Sequence, residues 1–488
     1  MSPTAAATLI VGLNGALQKR FVLPPNTPLI PGNVHRASQV QVGVGGKGQD
    51  VAVTLACLHY TPPLMLVQFI GSGAEGDVVY QMLHDLLVHN NNNNNNNNHD
   101  VSAMELTVRT NSAMRTCTSI VASDVTTELV EPSGLVTSAE WQELLEKLAT
   151  KQADALCFMG SMPPGCPDDA YAKIYQIVAR PHTLCLIDSV VGLGPLLEMI
   201  ATIKEPSTSS SPTSHSTSTG SNTYSTMLKI NASELCRLGN VKKRTDESGG
   251  VQRDELVAAV QALVRAYPAA RAALHAIAIT DGPHPAYFVV MPVSGENEMR
   301  LFQLPVAKLP LDLEEEDTEE FMTSSSAPAG GSGGGWGQWS ESNASLEKMP
   351  DHHHHHHQQH PPPTPALSSK TTTTLYPIGA GDAVAAGTLG AWKALSHKPR
   401  QSASWQQPST PPVGCLAPEI QQVLIGNESP GATSRARVML TSFSFGLACG
   451  SASCLQEENS VLRVQDALDL YIREGRPMFL SSHMLPSS

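Results

Sequence analysis

Basic residues are in short supply: 31 Lys and Arg stand against 44 Asp and Glu in 488 residues, a formal net charge of −13. Such a chain lacks the cation surplus that displaces counterions from a phosphate backbone, which argues against nucleic acid as its main partner. No apolar run is long enough to cross a bilayer, so no membrane partner is expected. Cysteine is present but unpatterned: the 9 residues are odd in number, and no two have CxxC spacing. That gives no disulfide framework and fits a reducing, cytoplasmic setting. An Arg-rich leader is missing too. Thr8–Gly12 already reads as a first strand, so no cleavable signal is expected.

Several stretches also lack the apolar side chains that offset ordering entropy. Asn90 to Asn98 is an unbroken asparagine tract. Residues near 202–226 are mostly Ser and Thr, those near 398–433 are rich in Pro, Gln and Ser, and those near 310–372 run from an acidic patch into a Pro/Thr stretch. The six histidines at 352–357 read as repeat expansion in a loop. Setting these insertions aside leaves roughly 300–350 residues, enough for one large domain. A single domain over 1–488, interrupted near 90–98, 202–226, 310–372 and 398–433, is the expectation.

The remainder alternates. Continuous apolar runs at Leu9–Leu13, Leu64–Ile70, Ala155–Gly160, Thr183–Asp188, Met227–Ile230 and Ala276–Thr280 predict strands. Amphipathic stretches at 47–58, 76–88, 137–149, 167–179 and 252–265 predict helices between them. That order indicates a parallel sheet covered on both faces. Ser38–Val44, Glu105–Arg109 and Arg115–Ser123 instead alternate polar and apolar, and predict a small sheet standing off the main one as a flap.

Three glycine motifs bear chemistry. Gly379-Ala380-Gly381-Asp382 precedes the small-residue helix Ala383–Gly387. A helix start exposes unpaired N–H groups and partial positive charge, glycines let a ligand approach, and the turn suits phosphate. Asp382 is then placed to accept a proton from an attacking hydroxyl. Plain helix capping is the simpler alternative for the same residues. Gly71-Ser-Gly73-Ala-Glu-Gly76 matches the dinucleotide fingerprint, but the acid expected about twenty residues on falls in the asparagine tract. Gly43-Val-Gly45-Gly46-Lys47-Gly48 lacks the Ser or Thr that a P-loop needs after Lys. It reads as a tight strand-to-helix turn, or as a loop lying close to a sugar.

Together these blocks resemble the ribokinase-like (PfkB) carbohydrate kinases, nearest their phosphosugar branch of 1-phosphofructokinase and tagatose-6-phosphate kinase. The resemblance lies in Leu13-Asn14-Gly15-Ala16-Leu17-Gln18, Gly45-Gly46-Lys47-Gly48-Gln49-Asp50-Val51-Ala52, Gly160-Ser161-Met162-Pro163-Pro164-Gly165, Leu228-Lys229-Ile230-Asn231-Ala232-Ser233-Glu234-Leu235 and Tyr376-Pro377-Ile378-Gly379-Ala380-Gly381-Asp382, in family order. It implies an α/β fold, a three-layer αβα sandwich with a mostly parallel sheet and a small β lid, with a homodimer formed through that lid. It implies transfer of the γ-phosphoryl of ATP, with Mg2+, to a sugar or sugar phosphate. Asp382 would be the base, and Gly379, Ala380 and Gly381 the anion hole. Lys229, Asn231 and Glu234 would serve ATP, with Glu234 reaching the metal through water. Asn231 and Glu234 equally fit a helix capping box. Thr280, Gly282, Gly450 and Ser451 would touch the nucleotide. Asn14, Gln18, Gly45, Gly46, Lys47, Asp50, Arg115 and Ser161 would contact the acceptor, Arg115 gripping its phosphate and Arg36 assisting.

The pattern also breaks. Gln18 stands where the family has Asp, Asp50 where it has Asn, and Gly15, Ile230 and Tyr376 replace Pro, Pro and Asn. If Gln18 and Asp50 face one pocket, the carboxylate has changed sides, and the acceptor hydroxyls are read in an altered pattern. A catalytically weak or inactive relative that serves as a binding protein is the competing expectation.

Overall fold

The structure is a computed structural model. It describes residues 7–92, 103–122, 125–204, 225–292, 297–309, 375, 377–396, 416–426, 435–474 and 478–485. Most of the expected insertions, and Tyr376, lie outside the described residues. The chain divides into Met1–Ala307 with Thr374–Ser488 as one unit and Lys308–Thr373 as another. The first is described here.

Its elements begin with strands β1 (Ala7–Asn14), β2 (Ala16–Val22) and β3 (Gln39–Gly45), helix α1 (Lys47–Cys57), β4 (Leu64–Ser72) and α2 (Ala74–Asn92). Then come β5 (Thr107–Ala113), β6 (Thr116–Ala122), β7 (Val125–Val130), α3 (Ser138–Leu148), β8 (Ala153–Met159), α4 (Ala170–Val178), β9 (Ala179–Asp188) and α5 (Leu193–Lys204). The second half holds β10 (Ser225–Asn231), α6 (Ala232–Leu238), α7 (Arg253–Ala266), α8 (Ala270–Ala273), β11 (Ala276–Asp281), β12 (His284–Val290) and β13 (Glu298–Leu304). It closes with α9 (Ala380–Ser396), α10 (Pro418–Gly426), α11 (Arg435–Ser453), α12 (Val464–Arg473) and β14 (Met478–Met484).

Ten strands form one sheet in the order β14-β13-β12-β11-β10-β9-β8-β1-β4-β5. From β5 across to β11 all neighbours are parallel, and β12, β13 and β14 add an antiparallel edge. The inner parallel strands are mostly apolar because both faces are covered. Alternate residues of β1 show how. Leu9, Val11 and Leu13 join the core under α3 to α8. Gly12 faces the other way, against α1, in the layer that also holds α9 and α11. Both sets are buried, and each fully buried Leu or Ile contributes about 1.5–3 kcal/mol.

Gly12 and Gly48 meet backbone to backbone. A Cβ on Gly12 would stand 2.5 Å from the Gly48 Cα, and one on Gly48 would stand 2.4 Å from the Gly12 Cα. This contact presses the start of α1 onto β1, so the glycine that spoils the P-loop pattern is explained by packing. The fingerprint Gly71–Gly76 is likewise packed: a Cβ on Gly71 would meet the Met114 nitrogen at 2.3 Å, and one on Gly76 the Gly71 carbonyl at 1.9 Å. Backbone packing thus accounts for two of the three glycines of that fingerprint.

The second sheet has the order β3-β2-β6-β7. It is the expected flap with one correction. Glu105–Arg109 does not belong to it: that segment leads into β5, which pairs in parallel with β4 at the edge of the main sheet. Leu106, Val108 and Thr110 are buried there while Glu105 and Arg109 are exposed, so the alternation marks a half-exposed edge strand of the main sheet and not a strand of the flap. The flap's strands are instead completed by β2 and β7. A second correction concerns 398–433: within it Pro418–Gly426 forms α10, with Leu416, Ile420 and Leu424 buried.

Candidate active site

A cavity of about 640 Å³ opens at the carboxyl ends of the parallel strands, beneath the small sheet. Such crevices in open α/β sheets are where ligands bind. Strand ends deliver Asn14 from β1, Asp188 from β9 and Lys229 from β10, with Ser161 just beyond β8. Helix starts deliver Lys47 and Asp50 from α1, Glu234 from α6 and Asp382 from α9. The small sheet contributes Gln18, Cys117, Thr126, Glu128 and Val130 from its inner face.

The turn before α9 is built for close approach. Gly379 has φ +82, the left-handed region that side chains avoid, and a Cβ there would lie 2.3 Å from Ser460 Oγ. The N–H groups of Gly379 and Gly381 have no partner among the described residues. That of Ala380 donates to the Pro377 carbonyl at 3.2 Å, so only two of the three expected anion-hole donors are free. Asp382 sits in the first helical turn, and its Oδ1 is buried without a hydrogen-bond partner. Burial pushes its carboxyl up to about 7, Lys47 pulls against that, and the Asp188 carboxylate adds to the rise.

Asp188 is the electrostatic hub. Lys229 Nζ lies 2.6 Å from its Oδ2, and Lys47 Nζ 3.3 Å from its Oδ1. Asp188 and Lys229 are only 5% and 4% exposed, whereas Lys47 is 41% exposed to the cavity. Burial alone would raise the Asp188 carboxyl, but the two lysines outweigh it and hold it below the ordinary carboxylate range. In return Asp188 raises the Lys47 ammonium against desolvation, so Lys47 stays charged. Sequence reasoning recorded Asp188 only as the end of a strand. Its position, an acid closing an otherwise apolar parallel strand, was the available signal.

Asn231 and Glu234 realise the capping box. Asn231 Oδ1 accepts from the Glu234 N–H at 2.8 Å, and a Glu234 carboxylate oxygen accepts from the Asn231 N–H at 3.4 Å. Glu234 still lines the cavity, with its other oxygen outside the box, whereas Asn231 does not line it.

At the acceptor end most polar groups are engaged. Gln18 Nε2 donates to Ser119 Oγ at 2.6 Å, and Asn14 Nδ2 to Ser161 Oγ at 2.9 Å. Asp50 Oδ1 accepts from Asn459 Nδ2 at 2.8 Å. Burial, and then the neighbouring Asp382, push the Asp50 carboxyl up. Arg115 donates to the carbonyls of Asn14 at 2.8 Å and Gly15 at 3.2 Å and to Ser133 Oγ at 3.4 Å. It has no acidic partner among the described residues, and desolvation lowers its pKa. Gln18 and Asp50 do face one cavity, together with Gly46 and Lys47.

Other expected residues stand elsewhere. Gly45 and the exposed Arg36 do not line the cavity. Thr280 and Gly282 are at the end of β11, Thr280 in register with Asn231, but outside the cavity lining. Gly450 and Ser451 are buried in α11; a Cβ on Gly450 would meet Val384 Cγ2 at 2.5 Å, so this glycine serves the packing of α11 on α9. Glu128 and Asn459 line the cavity without having been singled out.

No protein-family model matches the chain, and no curated protein matches it by sequence. Solved structures do match. Phosphofructokinase-2 from Escherichia coli, in complex with potassium, aligns over 96% of this chain and 99% of its own at 16% identity and a TM-score of 0.50. A possible 1-phosphofructokinase from Thermotoga maritima aligns over 97% and 100% at 13% identity and 0.52. Ribokinase from Giardia lamblia aligns over 95% and 99% at 11% identity and 0.53. The described unit thus has the α/β fold of these ribokinase-like structures, a mostly parallel sheet between helical layers with a small β lid.

Proposed function

We propose that this protein is an ATP-dependent sugar or phosphosugar kinase, with Asp382 as general base. One observation carries the reading: Asp382, with one buried oxygen unpartnered among the described residues, lines a cavity together with Gly379 of the anion turn, Lys47 and Lys229. Phosphoryl transfer needs in-line positioning, charge neutralisation and a proton acceptor, and this cavity offers groups for each. The acceptor hydroxyl gives its proton to the Asp382 carboxylate. Its oxygen forms the new bond to the γ-phosphorus as the bond to the β,γ-bridging oxygen breaks, and the protonated Asp382 later returns its proton to solvent. Charge growing on the transferring group is met by the Gly379 and Gly381 N–H groups. Lys47 and Lys229, both held by Asp188, supply positive potential nearby. A base with a pKa near 7 is well matched to this task.

Magnesium would supply neutralisation of the nucleotide phosphates. The Glu234 oxygen left outside the capping box fits a role in holding it through water. For the acceptor, Arg115 without an acidic partner suits an anionic group, which supports a phosphorylated sugar and a 1-phosphofructokinase-like role. Phosphofructokinase-2 from Escherichia coli has been solved with fructose-6-phosphate, in line with that reading. The whole of the described unit is read as one kinase domain.

The outer face of the small sheet supports a homodimer. Val40, Val42, Val125 and Leu129 are exposed there, and register puts them on one side. Phosphofructokinase-2 has a tetrameric inhibited form. Every described cysteine is free, which supports a reducing cytoplasmic setting. No described helix is long and apolar enough to cross a membrane.

The test is magnesium-dependent ATP turnover by the full chain against a panel of free and phosphorylated hexoses. Release of ADP tied to one or a few acceptors is the expected result. A chain that binds an acceptor but never turns over would instead favour the inactive-relative reading.

A further inference from the structure

One loop touches three parts of the cavity at once. Residues 454–463 join α11 to α12. Its Glu457 holds the small sheet: the carboxylate accepts from Gln41 Nε2 on β3 at 3.2 Å, and the carbonyl accepts from Arg20 on β2. Two residues on, Asn459 Nδ2 donates to Asp50 Oδ1 at 2.8 Å. The Asn459 Oδ1 lies 2.4 Å from where a Cβ of Gly379 would stand; that oxygen is buried and has no hydrogen-bond partner among the described residues. Ser460 follows in left-handed backbone, φ +58. Its Oγ donates to the Gly379 carbonyl at 3.3 Å, and its carbonyl accepts from Thr54 Oγ1 at 2.6 Å.

We propose that Asn459 is a positioning and specificity-determining residue for the acceptor, acting through Asp50. The inference rests on the kinase reading above. An asparagine serving only its own turn bonds the backbone two residues away. Among the described residues this one makes no such bond: its side chain donates across to α1, and its other end abuts the anion turn. The chemistry explains the need. Asp50 is a carboxylate, which only accepts, whereas an amide both donates and accepts. Asp50 shares the cavity with Asp382, and burial works against its charge. The Asn459 N–H group, with the Ser460 side chain beside it, favours the ionised form and holds the carboxylate in the cavity wall, where it can accept from a sugar hydroxyl. Amide and carboxylate thus form one reading unit, and the loop carrying it also holds both the lid and the turn that meets phosphate.

The experiment is steady-state kinetics of the full chain with MgATP and the acceptor that the panel identifies. Asn459→Asp sets carboxylate against carboxylate. The acceptor KM is expected to rise about ten- to a hundredfold, the range spanned by a hydrogen bond to a charged group. The KM for ATP is expected to move less than about threefold, because the nucleotide end keeps its contacts. Adding Asp50→Asn restores donor and acceptor with sides exchanged, and brings the acceptor KM back to within about fivefold of the parent. Asn459→Ser, too short to reach Asp50 and uncharged, gives the same rise and serves if the Asp variant fails to melt cooperatively. A parent chain silent towards every acceptor overturns the kinase reading, and this inference with it. An active parent whose acceptor KM is unmoved by Asn459→Ser, or a rise in Asn459→Asp that Asp50→Asn does not relieve, overturns this inference and leaves the kinase reading standing.

Discussion

The two ends of the cavity are prepared differently. At the phosphoryl end, groups are held in place but have no partner among the described residues: Asp382 Oδ1, the N–H groups of Gly379 and Gly381, and one Glu234 oxygen. At the acceptor end, Gln18, Asn14, Asp50 and Arg115 already have hydrogen bonds to Ser119, Ser161, Asn459 and the β1–β2 turn. An unpartnered buried carboxylate is costly, so the phosphoryl end stores free energy that a ligand releases. The acceptor end must exchange protein bonds for sugar bonds, which gives small net gains and sharp discrimination between hydroxyl patterns. Chemistry and selectivity are thus separated in space.

Removing the stored group gives the largest effect. Asp382→Asn is expected to lower kcat by roughly a hundredfold or more, with ATP binding retained. Stopped turnover alongside intact nucleotide binding by calorimetry checks it, and unchanged turnover refutes the base assignment. The same variant should be the more stable protein above pH 7. The native Asp382 carboxyl titrates near 7, above its ordinary value of 3.8, so the native state holds its proton to higher pH than the unfolded chain does. The stability this confers is present at low pH and lost as pH rises from about 4 to 7, opposite in sign to a salt-bridged carboxylate. Thermal melts at pH 4 and pH 8 should show the variant gaining on the parent only at the higher pH. In the parent, kcat/KM should rise as pH passes upward through about 7.

Next in size is the hub. Asp188→Asn leaves the Lys229 ammonium buried without its carboxylate and should cost about 3–5 kcal/mol, measured by denaturant titration. A loss below about 1 kcal/mol would mean that solvent reaches the pair. The acceptor end responds more gently. Gln18→Asp with Asp50→Asn should change the order of preferred sugars while altering the best kcat by less than about tenfold. An unchanged order would remove the idea that this exchange reads the acceptor. Deleting residues 312–370 should leave turnover and melting temperature unmoved, since their composition offers little to a core. Loss of folding would show that they contribute to it.

Much of this was legible in the residues themselves, for identifiable reasons. Leu9–Leu13 and Ala276–Ile279 carry no polar side chain, which two-sided burial demands, so the parallel sheet could be read directly. Asp382 was found because local physics, a glycine turn opening a helix, marks it within four residues. Asp188 was not, because its role exists only once Lys47 and Lys229 arrive from 141 and 41 residues away. Asn459 was hidden for the same reason, 409 residues from Asp50. β5 was misassigned because alternation reports one exposed face, and an edge strand of the main sheet has such a face just as a strand of the flap does. Gly450 looked like a pocket residue, yet small residues also mark helices in close contact, and sequence alone does not separate the two uses.

The Gly12–Gly48 contact has an evolutionary consequence. With hydrogen the only substituent at either position, neither can accept a methyl group unless strand and helix separate first, and the helix that would recede carries Lys47 and Asp50. Change at this wall of the cavity therefore needs two moves at once, whereas the lid and the other loops around the mouth can be altered one residue at a time.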